Sequence, residues 1–303
     1  MGFFEVYANL FTVSLVQGAI FAFPALAVMI PFRMLALPDL TSEGAFPFGA
    51  AIAATLTVAG LGPVLSLAAA VFFGLAVGTA TALIHLYLRV PSLLAGIIVL
   101  TMLFSINIRV MGKPNTALFD NDSIFTLALD ADGGEPATQF ALILALVLVF
   151  LAVFYWFLNT ELGMALRCVG ANQAMARAQG IPTHRYIVAG IAMAGGFSAF
   201  GGAVMAQHQA YADVNMGVGV LIVGLAATIL GETLVGRRTL TRQLAAPVVG
   251  ALAYFQVVAA ALALGLKPSD LKLLTGLFVL ATLAVPIALQ AKLPFRIGSG
   301  RPR

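Results

Sequence analysis

Few residue patterns in this chain could support a chemical reaction. The sequence has no nucleophile–base motif and no histidine or cysteine spacing typical of a metal site, and its single cysteine is Cys168. It also lacks the G-x4-G-K-[ST] loop that binds nucleotide phosphates, because the Gly112-Lys113 pair is followed by Pro114. We therefore expect no catalysis by this chain, and neither a metal ion nor a cofactor bound to it.

A second group of residues matters because its polar side chains interrupt long apolar stretches. Polar groups within a membrane are costly and usually face the interior of a helix bundle, so we expect them to line a polar route through the protein. The predicted route residues are Asp39, Thr41, Asn107, Gln207, Asp213 and Asn215. Asp39, which lies close to Glu43, has an alternative role in a turn where its carboxylate caps a helix. The alternative for Asp213 is a solvated turn.

The segment 160–185 has the features of a short helix built to contact another protein. Asn172 is a good N-cap, Gly180 is a helix stop and Pro182 prevents continuation. Between them lie about two turns rich in alanine, including Ala176. We expect this helix to fit a groove on a partner, the alternative being an ordinary solvated helix in a loop.

The elements that position these residues must be membrane helices. Of the 303 residues, 61% are hydrophobic and 9% are charged, with a mean hydropathy of +1.03, whereas soluble domains carry roughly 25% charged residues. In lipid only helix bundles and closed barrels satisfy the backbone, and the apolar runs here are continuous rather than alternating. The net charge of +4 and the pI of 9.5 reflect basic loops that orient the chain, so no nucleic-acid partner is expected.

The apolar stretches predict about nine transmembrane spans in one all-α domain covering residues 1–303. Residues 33–45, before the short second span, contain helix-breaking and polar residues and indicate a broken helix or a re-entrant turn. The nine predicted spans are 10–31, 46–60, 64–88, 92–111, 138–158, 186–207, 217–235, 244–264 and 271–289.

Basic residues predict which loops lie in the cytoplasm. They concentrate in the loop after the fifth span, in the loop after the seventh and in the C-terminal tail, whereas the acidic loop 113–136 is expected outside with the N-terminus. Glu232 precedes two of the loop arginines, Arg237 and Arg238, and we expect it to form an ion pair with one of them.

Two internal similarities predict an inverted repeat. Residues 93–100 resemble 273–280, and the segment beginning at Asp39 resembles the one beginning at Asp213. These two similarities align residues 10–112 with residues 186–290, and residues 138–158 form a span that links the two halves. The two halves then run in opposite directions across the membrane, which is typical of transporters.

The segment 162–181 also resembles a known motif. Its pattern Leu-Gly-x3-Arg-x2-Gly-x-Asn-x3-Ala-x3-Gly-Ile is similar to the cytoplasmic coupling loop of ABC importer permeases, specifically the branched-chain amino acid and monosaccharide permease superfamily. Segments 32–51 and 206–217 resemble the subgroup that contains permeases for tryptophan and tyrosine.

This resemblance implies a transport subunit in the bacterial inner membrane. It implies cytoplasmic ATP-binding subunits that hold ATP and Mg, an extracytoplasmic substrate-binding protein, a homodimer, and an amino acid, in the narrowest case aromatic, as solute. The residues expected to couple to the ATPase are Arg167, Gly170, Asn172, Ala176, Arg177 and Gly180. An ion- or proton-coupled secondary transporter and a non-transporting membrane scaffold are the alternatives.

Overall fold

The protein is a multi-pass α-helical bundle. The computed structural model describes residues 3–119, 121–129 and 134–267 and a few positions from 270 to 280. Its elements are α1 (Phe3–Met29) with a π-helical turn (Ile30–Met34), α2 (Thr41–Val58), α3 (Pro63–Tyr87), α4 (Ser92–Met111), β1 (Asn115–Ala117), α5 (Ile124–Ala128), α6 (Pro136–Asn159), α7 (Glu161–Ala171), α8 (Gln173–Ala178), α9 (Thr183–Gln209), β2 (Tyr211–Asp213), a 3-10 turn (Val214–Gly217), α10 (Val220–Val235) and α11 (Leu240–Ala263).

Seven helices within the described part of the chain are long and apolar enough to cross a membrane. They contain α1, α3, α4, α6, α9, α10 and α11. The predicted second span corresponds to α2, whose side chains are almost all buried by the surrounding helices. The predicted ninth span, 271–289, lies outside the described residues apart from a few positions, so the count of nine stays a prediction.

The interruption predicted at residues 33–45 is confirmed over a shorter stretch, since the π-helical turn extends to Met34 and α2 already begins at Thr41. α1 ends in a turn with a backbone hydrogen bond of 3.1 Å from Leu35 N to Ile30 O, which is the i→i+5 spacing of a π-helix. The chain is then non-helical until α2 begins at Thr41. α2 begins inside the bundle, because Thr41 N lies against Gly96, about one turn into α4. Gly44 then packs against Leu100 and Leu103, about half-way along α4, so the end of the first turn of α2 reaches the middle depth.

Small residues allow the central helices to approach very closely. A Cβ atom added to Gly202 of α9 would overlap the carbonyl of Phe46 in α2, and one added to Gly49 would overlap Ala199. α3 and α9 meet in the same way at Gly78. The glycines of α9 therefore allow close helix packing, as small residues do between membrane helices.

The acidic loop contributes two elements that the sequence did not predict. β1 pairs antiparallel with β2, with Thr116 opposite Ala212, and the short helix α5 buries Ile124 and Phe125. These elements lie at one end of the bundle, which we call the β-ribbon end. The opposite end carries α7 and α8 and is called the α7–α8 end.

The close α2–α9 contact gives a direct test of the packing. Gly202→Ala should lower the free energy of unfolding by about 1–3 kcal/mol, because the added methyl group meets rigid backbone. The measurement is the midpoint of thermal aggregation of the purified protein in detergent. Gly62→Ala is the matched control, since no described atom lies within 4 Å of its Cβ position and its φ of −57° suits alanine. Equal midpoints for both variants would contradict the proposed packing.

Candidate functional site

The α7–α8 end is built from local capping and small-residue contacts. The Thr160 hydroxyl accepts a hydrogen bond from Gly163 N at 3.4 Å and starts α7. Gly163 then packs on the backbone of Leu158, where a side chain would not fit. Asn172 Oδ1 accepts from Met175 N at 3.0 Å, so Asn172 is the predicted N-cap of α8.

The end of α8 also agrees with the prediction. Gly180 has φ +78°, and its N–H donates to Arg177 O at 3.0 Å, while Ile181 N donates to Ala176 O at 3.0 Å. These two bonds form a Schellman motif, which needs a residue in the left-handed region at Gly180. The Arg177 Nε atom donates to the Thr183 hydroxyl at 3.1 Å and ties α8 to α9.

Some of the expected coupling residues face their own chain instead of a partner. Ala176 is fully buried, and Gly170 lies against the carbonyl of Met34, where no side chain fits. Arg167 donates to Leu158 O at 3.0 Å. The expectation that the whole helix is an exposed small-residue surface is wrong at Ala176: the exposed residues of α8 are Ala174, Met175, Arg177 and Ala178.

The π-helical turn links this loop to the rest of the bundle. Leu35, directly after the turn, is buried against Gly190 of α9, which also lies near Leu166 of α7. On its other side the turn presents Arg33, whose Nη2 atom lies 2.6 Å from Glu232 Oε2.

Glu232 is the centre of a small ionic cluster at the α7–α8 end. Its carboxylate contacts both Arg33 and Arg237, the latter at 3.1 Å from Nε. The predicted ion pair is confirmed, with Arg237 as the partner. Arg33 is an additional partner that was not predicted because it is distant from Glu232 in the sequence. The cluster connects the end of α1 to the end of α10.

Asp39 and Thr41 lie at the beginning of α2 and do not face an open route. Both are fully buried. Asp39 Oδ1 accepts hydrogen bonds from Thr41 N at 3.1 Å and from the Thr41 hydroxyl at 2.6 Å, and the Thr41 hydroxyl contacts Thr81 at 2.9 Å. Asp39 thus binds the first N–H of α2, as the helix-capping alternative expects, and its place on the route stays a prediction.

Gln207 and Asp213 stabilise the β-ribbon end. Gln207 Oε1 accepts from Ile124 N at 3.0 Å, and its Nε2 donates to Pro63 O at 3.1 Å, so this buried amide joins α5 to the start of α3. Asp213 Oδ1 accepts from Asn215 N at 2.7 Å and caps the 3-10 turn. Both side chains thus hold local structure, and the expectation that they line a route stays a prediction.

A groove beside the starts of α2 and α10 contains the remaining route residues. Asn107 and Asn215 line it together with Glu43, and Gly217 closes one side by lying against the Glu43 carbonyl. Glu43 Oε1 accepts from Gly219 N at 3.0 Å. The structure brings Glu43 into the site because two interrupted helices meet there, and the only sequence signal was its proximity to Asp39.

Comparison with known proteins then decides the family. Residues 10–285 match the family described as branched-chain amino acid transport system / permease component. The chain belongs to this family. The predicted family resemblance is confirmed, and the chain is a multi-pass membrane transport subunit.

Two relatives and one solved structure illustrate the similarity. A tyrosine transport system permease protein of Clostridioides difficile (strain R20291) is 35% identical over 270 residues, which cover 88% of each protein. The ribose import permease protein RbsC of Escherichia coli (strain K12) is 25% identical over 198 residues, covering 64% of this permease and 60% of that protein. An inward-facing structure assigned to a metal-chelate type ABC transporter is 18% identical, with a TM-score of 0.47, and covers 92% of this chain and 84% of that chain.

The ionic cluster predicts that substitutions of Glu232 and of the nearby Arg238 have unequal effects on stability. Glu232→Gln should destabilise the permease by about 1–3 kcal/mol, because a buried carboxylate that satisfies Arg33 and Arg237 is lost. Arg238→Ala should have little effect, since Arg238 is exposed and forms no ion pair within the described residues. Thermal unfolding in detergent measures both, and a larger shift for Arg238→Ala would refute the assignment.

Asp39 offers a second test that separates a cap from a route residue. Asp39→Ala removes the acceptor of two buried hydrogen bonds and should cost about 1–3 kcal/mol of stability. Asp39→Asn keeps the Oδ1 acceptor and should remain folded with a melting midpoint near that of the unmodified protein. If Asp39→Ala melted at the same temperature as Asp39→Asn, the capping role would be wrong.

Proposed function

We propose that this chain is the membrane subunit of an ATP-driven importer of the ABC type, located in the bacterial inner membrane with the α7–α8 end in the cytoplasm. The observation that carries this proposal is the α7–α8 loop itself. Its backbone is fixed by two caps and by contacts to α1 and α9, yet one side of α8 is exposed. A rigid, exposed helix outside the apolar bundle is suited to contact a cytoplasmic ATP-binding subunit, which would hold the ATP and Mg.

The contacts of the π-helical turn provide a continuous connection from this loop to the groove. α7 packs on the turn at Gly170, the turn holds Glu232 of α10 through Arg33, and the other end of α10 begins next to Glu43. We infer that movement of α7 and α8 on the ATPase is transmitted along α10 to the groove. Such a route is defined by energetic coupling, so it needs a functional measurement.

We also infer nine spans arranged as an inverted repeat. Helices α1 and α9 are each followed by an interruption, and α2 and α10 each begin after it. In each interruption an aspartate Oδ1 accepts from the backbone N–H two residues later, Asp39 from Thr41 and Asp213 from Asn215. The packing of α1 on α11 corresponds to that of α9 on α3. These equivalences support the repeat that the sequence predicts.

Two further partners follow from the position of the groove. Glu43 is half-buried at the middle depth, and exposed residues such as Asn215 and Val218 lie beside it. A carboxylate open to lipid would be costly, so we propose that a second copy of the chain covers this face and that the pathway runs between the two copies. An extracytoplasmic binding protein would deliver the solute at the β-ribbon end. The tyrosine permease relative supports an amino acid, including aromatic ones, as the solute.

Co-purification tests the coupling assignment. The ATP-binding subunit expressed with this permease should be retained by the unmodified chain, and Ala178→Arg should reduce retention and vanadate-sensitive ATP hydrolysis about tenfold or more. The added charge would be buried in the contact without a partner. Ala137→Arg, an exposed alanine in the first turn of α6 at the opposite end, is the matched control and should retain the subunit.

The opposite pattern would reject the proposal. If no ATP-binding subunit is retained by the unmodified chain, and if uptake into cells depends on a sodium or proton gradient but survives ATP depletion, the chain is a secondary transporter. Retention that is equally strong in Ala178→Arg would place the ATPase contact elsewhere. Assembly with an ATPase but without solute flux would indicate a scaffold.

Arg33 tests transmission separately from docking. Arg33→Gln should keep the ATP-binding subunit bound but lower the ratio of solute imported to ATP hydrolysed, because α10 loses its connection to the π-helical turn. Uptake and ATP hydrolysis measured in the same proteoliposomes give this ratio. An unchanged ratio would show that α10 does not carry the movement.

A further inference from the structure

Glu43 is an acidic side chain in an unusual place. It lies in the first turn of α2, at the middle depth of the bundle, and is half-buried. One carboxylate oxygen accepts from Gly219 N at 3.0 Å, and no lysine, arginine or histidine in the described part of the chain forms an ion pair with it. Ionisable side chains in a membrane are costly and usually mark a route for a substrate or ion. Within the described residues, therefore, no positive group compensates Glu43.

Asn107 points to a ligand independently. It is on α4, is 1% exposed, and its Oδ1 atom has no hydrogen-bond partner among the described residues. Leaving a buried acceptor unsatisfied costs about 1–3 kcal/mol, so a protein rarely keeps one without a reason. Asn107 and Glu43 line the same cavity of about 120 Å³, together with Asn215. This cavity is small, and its two notable acceptors both need a hydrogen-bond donor.

A larger cavity adjoins the small one on the other side of Glu43. Its volume is about 340 Å³, and Glu43 and Val218 line both. The larger cavity is mainly apolar, with Phe21, Ile222 and Val223 among its lining residues. A ligand that fills both cavities has a compact positive donor group at one end and an apolar group at the other.

We propose that Glu43 and Asn107 bind the ammonium group of the transported solute, with its apolar side chain in the cavity lined by Phe21, Ile222 and Val223. This inference rests on the proposed transport function and adds the recognition site. The ammonium group donates to the Glu43 carboxylate and to Asn107 Oδ1. Charge-assisted hydrogen bonds of this kind are stronger than neutral ones, and more so where water is excluded. The backbone N–H of Gly219 fixes the carboxylate before the solute arrives.

The geometry also places this site where access can be switched. Glu43 is in the first turn of α2, and its partner Gly219 immediately precedes α10. Gly219 has φ +90°, a conformation in which a side chain is strained, so the turn depends on glycine there. A displacement of α10 would therefore move the N–H that orients Glu43. Binding of the ammonium group and the position of α10 are thus linked.

The test uses the complete transporter in proteoliposomes, with the ATP-binding subunit and the binding protein. Uptake of each of the twenty labelled amino acids is measured first, and the fastest serves as the probe, with tyrosine expected. Competition then compares tyramine, which keeps the ammonium group, with 3-(4-hydroxyphenyl)propionate, which lacks it. The variants are Glu43→Gln, Glu43→Asp and Asn107→Leu, and the control is Thr79→Val in α3, whose hydroxyl donates to Leu75 O at 2.8 Å within its own helix.

The site assignment predicts a specific order of effects. Glu43→Gln should raise the KM for uptake about 10- to 100-fold, the range expected when a hydrogen bond to a charged group is lost. Glu43→Asp should keep part of the affinity, Asn107→Leu should raise KM by a smaller factor, and Thr79→Val should leave uptake unchanged. Tyramine should compete better than the propionate in the unmodified transporter, and Glu43→Gln should reduce this preference. Melting midpoints of the purified variants identify any that fail to fold.

Several results would overturn the site. An unchanged KM in folded Glu43→Gln, equal competition by the two analogues, or no uptake of any amino acid by the unmodified protein would each do so. A different result would reject the proposed function. If uptake is driven by an ion gradient and not by ATP, the chain is not part of an ATP-driven importer, and the effect of Glu43→Gln on KM can still be measured in the same vesicles. A sodium requirement abolished by Glu43→Gln, with the analogue preference unchanged, would assign the carboxylate to an inorganic cation instead.

Discussion

Every backbone N–H and C=O group within a bilayer must find a partner in the protein, and this permease must satisfy that constraint at two interrupted helices. Between α1 and α2, and between α9 and α10, the chain leaves helical geometry and exposes backbone groups. Each interruption is stabilised by an aspartate oxygen that accepts from the N–H two residues later. At the meeting point Glu43 accepts from Gly219 N. The same hydrogen bonds that make the interruptions tolerable also bring a carboxylate to the middle of the bundle.

Close packing is the second requirement of this arrangement. α2 is an 18-residue helix enclosed by its neighbours, and Gly49 and Gly202 let it lie against α9. Without a water-driven hydrophobic effect between helices in lipid, such backbone proximity supplies much of the association energy. The outer helices differ: α6 exposes Val153 and Trp156 on the side that we expect to face lipid. The bundle thus combines a tightly packed interior with an apolar exterior.

The α7–α8 end and the groove are joined by one helix. α10 carries Glu232 near its end and begins beside Glu43. Arg33, which is part of the π-helical turn, binds Glu232, and α7 packs against the same turn. A rigid helix with specific contacts at both ends can convert a local displacement at the α7–α8 end into a change at the groove. This provides a physical basis for alternating access without requiring any chemistry in the membrane chain.

The sequence by itself determined the class of the protein and its local signals. Apolar composition specified a membrane helix bundle, and Asn172 and Gly180 marked the limits of α8, because capping depends on residues close together in the chain. For Asp39 the sequence offered a route and a cap as possible roles, and only the tertiary structure showed that it is fully buried and bonded to Thr41. Only the tertiary structure showed that Ala176 faces inward and that Arg33 pairs with Glu232, 199 residues away in sequence. It likewise showed that Glu43 and Asn107 share a cavity. Their proximity results from the packing of α2 on α4, which local sequence patterns do not specify.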